Sequence, residues 1–131
     1  MKKIFVNGTF DLLHLGHLGI LSFAKSLGTH LTVAIDSDKR VQRLKGPDRP
    51  INKAFDRLTM LNAMKCVDTV IVFDTDEELI DLIKQCDIMV KGSDYKDQPI
   101  IGEEFAKEII FFERIDGYST TEKIQRITNR R

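Results

Sequence analysis

The chain has 131 residues, 42% of them hydrophobic, which is the size and composition of one ordinary domain with a sufficient core and no room for a second module. Lysine plus arginine number 20 and aspartate plus glutamate number 20, so the formal net charge is zero. That balance argues against DNA, RNA or an anionic membrane as the main partner, because each calls for a basic excess.

Five short runs rich in valine, isoleucine and phenylalanine follow one another: Ile4–Val6, Leu31–Ile35, Thr69–Phe73, Ile88–Val90 and Ile109–Phe112. Their unbroken apolar character predicts strands buried on both faces. After the first run, His17–Leu27 sets Ile20, Leu21, Ala24 and Leu27 on one helical face and ends at Gly28, a residue suited to a left-handed cap. After the second comes RLKGPDRPIN, Arg43 to Asn52, a basic stretch that Gly46, Pro47 and Pro50 break into a loop. Ala54–Met64 repeats the helical pattern with Phe55, Leu58 and Leu61, and Glu77–Gln85 does so with Leu79, Ile80, Leu82 and Ile83. The final segment, Ser119–Ile127, opens with Ser119 and has Glu122 three residues later, the spacing of a capping box. Strands alternating with helices of about ten residues predict a single α/β domain over residues 1–131, with a mostly parallel five-stranded sheet and helices on both faces. Ligands of such sheets sit at the carboxyl ends of strands, near the point where strand order reverses.

Cys66 and Cys86 stand singly in apolar surroundings, without CxxC spacing, and read as free core thiols. The N-terminus offers three apolar residues before Asn7 and Gly8, too few for a signal-peptide core, and no apolar run approaches the ~20 residues that span a bilayer. These features lead to the expectation of a soluble, cytoplasmic protein.

The chemistry concentrates in loops that follow the strands. The first strand runs into GTFDLLHLGH, Gly8 to His17, and directly into an amphipathic helix. A helix start of this kind is an anion site, because its first amides are unpaired donors and its dipole favours negative charge. His14 and His17, three apart, share one side of a turn, and Gly16 between them lets backbone or phosphate approach closely. A pair of surface or capping histidines is the plainer alternative; a zinc site would need further ligands, and none lies nearby in the sequence. The last loop, ERIDGYSTTEKI, presents Ser119, Thr120 and Thr121 at a second helix start, with Arg114 just upstream. Two such starts can grip one polyphosphate, although an ordinary capped helix explains the second equally well. Lys45 and Arg49 in the basic stretch are placed to close over a phosphate, or to form a solvated charge run. Arg57 is either an exposed helix residue or an inward phosphate clamp. VKGSDYKD, Val90 to Asp97, adds Gly92 for close backbone approach and Asp94 and Tyr95 for polar contacts.

Taken together, GTFDLLHLGH with GYSTT downstream resembles the HxGH-type nucleotidyltransferase superfamily. The similarity runs from Ile4 to Ile127 and is strongest to the adenylyltransferase domain of the bifunctional heptose-phosphate enzyme, whose segments match SDKRVQRLKGPDRPIN, DRLTML, VDTVIVF, VKGSDY and DGYSTT in the same order. Glycerol-3-phosphate cytidylyltransferase lies in the same branch. The resemblance implies a Rossmann-like fold and transfer of a nucleoside monophosphate from an NTP, ATP favoured, to a sugar phosphate such as heptose 1-phosphate, with Mg2+ bound alongside the NTP and pyrophosphate released. It implies that His14 and His17 contact the nucleotide phosphates, that Gly8, Thr9, Phe10 and Gly16 lie along the nucleotide, and that Asp11 holds the loop or the metal-bound phosphates. Lys45 matches the phosphate-binding lysine, Arg57 a helix arginine facing the active site, and Ser119 to Thr121 the STT that binds phosphate oxygens. Gly92 and Asp94 belong to the loop that selects the base. Arg114 aligns with an arginine of the cytidylyltransferase pattern that the heptose-type domain lacks. A homodimer is expected, and another chain must supply the sugar 1-phosphate. The rival readings are a CTP-dependent glycerol-3-phosphate cytidylyltransferase and a nucleotide-binding module without catalysis.

Overall fold

A computed structural model of the chain describes residues 1–113; the helix expected at Ser119–Ile127, with Arg114, Ser119, Thr120 and Thr121, lies outside the described residues. The five apolar runs form the five strands β1 (Lys3–Gly8), β2 (His30–Asp36), β3 (Thr69–Phe73), β4 (Ile88–Gly92) and β5 (Ile109–Phe112). They make one parallel sheet in the order β3-β2-β1-β4-β5. The α/β, Rossmann-like expectation is met.

The helices alternate with the strands: α1 (Leu15–Ser26), α2 (Asp38–Lys45), α3 (Ala54–Asn62) and α4 (Asp76–Lys84). Leu21 and Ala24 of α1 and Leu61 of α3 pack with Ile4, Val6, Val33 and Val90 on one face of the sheet. Leu79 and Ile83 of α4 pack with Phe5, Ala34 and Met89 on the other. Val33, Ala34 and Ile35 are all fully buried, as a central strand covered on both faces requires. The chain runs outward from β1 to β3, and α4 then carries it back across the sheet to β4, so strand order reverses between β1 and β4.

Three local expectations change. Helix α1 begins two residues before His17, because His14 caps it. Gly28 is not left-handed, and the α1 C-cap is Leu27 in the right-handed region. A Cβ at Gly28 would lie 2.7 Å from the Lys2 carbonyl oxygen and 2.8 Å from Ile4 Cδ1, so glycine is needed there for close packing against β1. The basic stretch is a loop only from Gly46 onward, since Arg43 to Lys45 end α2. This helix starts from a Ser37 side-chain cap, with Asp38 in the first turn and Arg43 and Lys45 in the last, as the helix dipole favours.

Candidate active site

A cavity of about 620 Å³ opens at the carboxyl edge of the sheet, across the point where strand order reverses. Gly8, Thr9, Phe10, His14, Gly16, His17, Lys45, Gly92 and Asp94 all line it. The structure therefore brings together residues from β1, the following loop, α1, the end of α2 and the β4 loop.

The two histidines close a reciprocal cap. His14 Nδ1 accepts the Gly16 N–H at 3.1 Å, and His17 Nδ1 accepts the His14 N–H at 3.2 Å. The rings stack with centroids 3.9 Å apart. A ring nitrogen that accepts a backbone proton carries none itself, so in each neutral imidazole the proton sits on Nε2. The capping reading and the functional reading thus hold at once: the cap uses Nδ1 and fixes Nε2 as the donor. Phe10 supports the pair from beside it, its ring centroid 5.2 Å from that of His17. Phe10 has φ 50°, a left-handed conformation that costs a non-glycine residue free energy. Gly8 makes room for it, since a Cβ there would meet Phe10 Cε2 at 3.1 Å.

Lys45 reaches the cavity from the C-terminus of α2. Burial lowers its pKa and the neighbouring Arg49 charge lowers it further, against the opposing pull of Asp36 and Asp11. An ammonium held with its charge disfavoured is primed to gain from an arriving anion.

Asp11 and Arg57 do not face the cavity. Asp11 is buried, and its carboxylate accepts the backbone N–H groups of Ile51 and Asn52, both at 2.7 Å, and the Arg49 Nε–H at 3.4 Å. Of the two roles the resemblance offered it, holding the loop is the one its contacts serve. Arg57 is fully buried and donates to the carbonyls of Thr9, Asp36 and Asn52 and to Asp38 Oδ1 at 2.8–2.9 Å. These carbonyls belong to the β1 loop, the end of β2 and the segment before α3, so Arg57 ties the walls of the cavity together. It corrects the expectation of an arginine directed at phosphate.

Lys91, Asp36, Arg40 and Asn7 line the cavity too and escaped sequence reasoning. Lys91 and Asp36 each sit at the carboxyl end of an apolar strand, where an isolated charge is itself a signal. Asp36 is engaged by Arg40 Nε–H at 2.8 Å and by the Thr9 hydroxyl at 3.2 Å, and Arg40 also reaches Asp76 at 2.8 Å. Burial lowers the Lys91 pKa, with Asp36 and Asp94 opposing.

The sequence profile of the cytidylyltransferase-like family matches residues 5–126. The chain belongs to that family. It is 50% identical over 96% of its length to the bifunctional protein HldE of Sulfurimonas denitrificans, and 50% identical over 98% to that of Helicobacter pylori strain 26695. It spans 27% and 29% of those proteins, less than a third of each. A lipopolysaccharide core biosynthesis protein from Thermoplasma volcanium superposes with a TM-score of 0.73 at 27% identity, over 88% of this chain and 99% of that one. Nucleotidyl transfer is the chemistry of this family, and among the described residues no helix is long and apolar enough to cross a membrane.

Proposed function

We propose that this family member is an adenylyltransferase that joins AMP from ATP to a sugar phosphate of the heptose 1-phosphate type and releases pyrophosphate. The observation that carries the reading is the reciprocal histidine cap, which leaves Nε2–H as the donor of each ring beside a cavity that Lys45 also lines. The similarity to HldE over nearly the whole chain supports the acceptor class.

An oxygen of the acceptor phosphate attacks the α-phosphorus, a new P–O bond forms, and the bond from the α-phosphorus to the bridging oxygen of the leaving group breaks. Pyrophosphate departs with that electron pair. A phosphate monoester has its second pKa near ~6, so the attacking oxygen is already anionic at neutral pH and no general base is needed. Catalysis reduces to alignment and to donors placed where charge develops. His14, His17 and Lys45 supply those donors; Thr9 and Phe10 lie along the nucleotide, and Ser119, Thr120, Thr121 and Arg114 belong to the same proposal as further phosphate contacts. The described residues include no cluster of three His, Cys, Asp or Glu side chains, and this donor-rich lining fits a Mg2+ held by the NTP's own phosphates. When bound, the ion neutralises phosphate charge.

A cytoplasmic location and a homodimer complete the reading; sedimentation velocity at twice the monomer mass supports the dimer, and a single monomer boundary refutes it. The activity is tested by pyrophosphate release from ATP or CTP against heptose 1-phosphate and glycerol 3-phosphate. Release with ATP and the sugar phosphate is expected. Turnover confined to CTP and glycerol 3-phosphate would replace this reading with the cytidylyltransferase one, which the family's name and the alignment of Arg114 favour. Nucleotide binding without any pyrophosphate release identifies a non-catalytic module.

A further inference from the structure

The parallel register pairs Ile4 with Ile88 and Phe5 with Met89, and further along the same two strands Asn7 and Lys91 both line the cavity. These two positions flank the reversal of strand order. Both point off the face of Phe5 and Met89, whereas α1, with the histidine pair at its start, covers the opposite face of Ile4 and Val6. The cavity therefore has two chemically distinct walls, and both are cationic or donor-rich.

Lys91 is half-buried, and its Nζ lies 4.7 Å from the Tyr95 ring centroid. Of the two carboxylates whose charge acts on it, Asp36 and Asp94, Asp36 is already engaged by Arg40 and Thr9. The Asn7 side-chain oxygen is buried and accepts no hydrogen bond. A half-buried cation whose contact is a ring face, and a buried acceptor without a donor, can both be served by one ligand, provided it brings an anion and a neighbouring hydroxyl. A phosphate ester of a polyol or sugar has both. In-line displacement also places the attacking and leaving oxygens on opposite sides of the phosphorus. If the histidine wall holds the departing pyrophosphate, the acceptor must enter from the other wall.

We propose that Lys91 and Asn7 form the acceptor subsite, Lys91 Nζ donating to the acceptor's phosphate and Asn7 Oδ1 accepting from a hydroxyl of the same molecule. The assignment rests on the transfer reading for its direction of attack, and on geometry alone for its ligand class.

Calorimetric titration of the full chain with heptose 1-phosphate, inorganic phosphate and ATP tests it, alongside initial rates of pyrophosphate release. K91M weakens heptose 1-phosphate about 10- to 100-fold, as loss of a charge-assisted hydrogen bond should, and changes the ATP constant by less than about two-fold. K91R recovers most of the loss. N7A weakens heptose 1-phosphate several-fold and leaves inorganic phosphate unchanged. Thermal melts of K91M at or above those of the wild type show that the loss is not unfolding. The subsite is overturned if K91M weakens ATP as much as the sugar phosphate, if neither constant moves, or if the wild type binds no heptose 1-phosphate. Wild-type binding that depends on Lys91 without pyrophosphate release would instead sink the transfer reading and keep the subsite.

Discussion

His14 and His17 cap each other's turn: the His17 ring accepts the His14 backbone N–H while the His14 ring accepts the Gly16 N–H, and the two rings lie 3.9 Å apart. The same contacts that start α1 thereby set the tautomer of both rings. Substitution should separate the two roles. H14A loses the cap and the donor, costing about 1 kcal/mol of stability and on the order of 10²–10³ in turnover. H14N, whose side-chain oxygen also caps, recovers the stability in a urea titration and not the turnover. Recovery of both would show that the imidazole serves only as a cap.

Arg57 is the second test. With its donors given to three backbone carbonyls and Asp38, R57M leaves buried acceptors unpaired and should destabilise the fold by about 3–5 kcal/mol. R57K, with one point charge in place of a planar fork, rescues little of this. A variant that melts like the wild type and has lost only nucleotide affinity would return Arg57 to the phosphates.

Asp11 acts on the loop after α2. D11N replaces an acceptor of two backbone N–H groups with an amide that can satisfy only one, at a cost of about 1–3 kcal/mol. Limited proteolysis should show faster cleavage between residues 46 and 52. Unchanged protection there would show that other contacts hold the loop.

Lys45 gives a pH signature. Its pKa in the folded protein lies below the ordinary 10.5, so folding disfavours its protonated form. The resulting penalty is fully present below the folded pKa and disappears as pH rises past the unfolded value. K45M should therefore melt above the unliganded wild type at pH 7, and the difference should shrink as pH approaches 10.5, while its KM for ATP rises. A K45M protein less stable than the wild type at pH 7 would mean that the lysine has a structural partner.

The strands were legible because continuous runs such as Leu31–Ile35 admit only a doubly covered strand, and the cavity followed from GTFDLLHLGH entering a helix at the end of the first of them. Helix α2 was not legible: DKRVQRLK carries Val41 and Leu44 as its sole apolar residues, so its hydrophobic stripe is too thin to register. Arg57 could be read as inward or outward, but sequence says nothing of the carbonyls that meet it from three separated segments. Lys91 and Asp36 were passed over because strand-end charges look like ordinary boundaries until the register sets them on one face. Capping histidines were among the alternatives the sequence offered, but that each ring caps through Nδ1, and that the two caps are reciprocal, is visible only in the structure.

Attack by the acceptor's phosphate oxygen on the α-phosphorus can be followed by isotope tracing. Heptose 1-phosphate carrying 18O in its phosphate, incubated with the protein, ATP and Mg2+, is followed by 31P NMR. Attack through that oxygen leaves every labelled oxygen in the nucleoside diphosphate sugar, including the bridge between its two phosphorus atoms, and leaves the released pyrophosphate unlabelled. Label in the pyrophosphate, or formation of ADP in place of pyrophosphate, would contradict it.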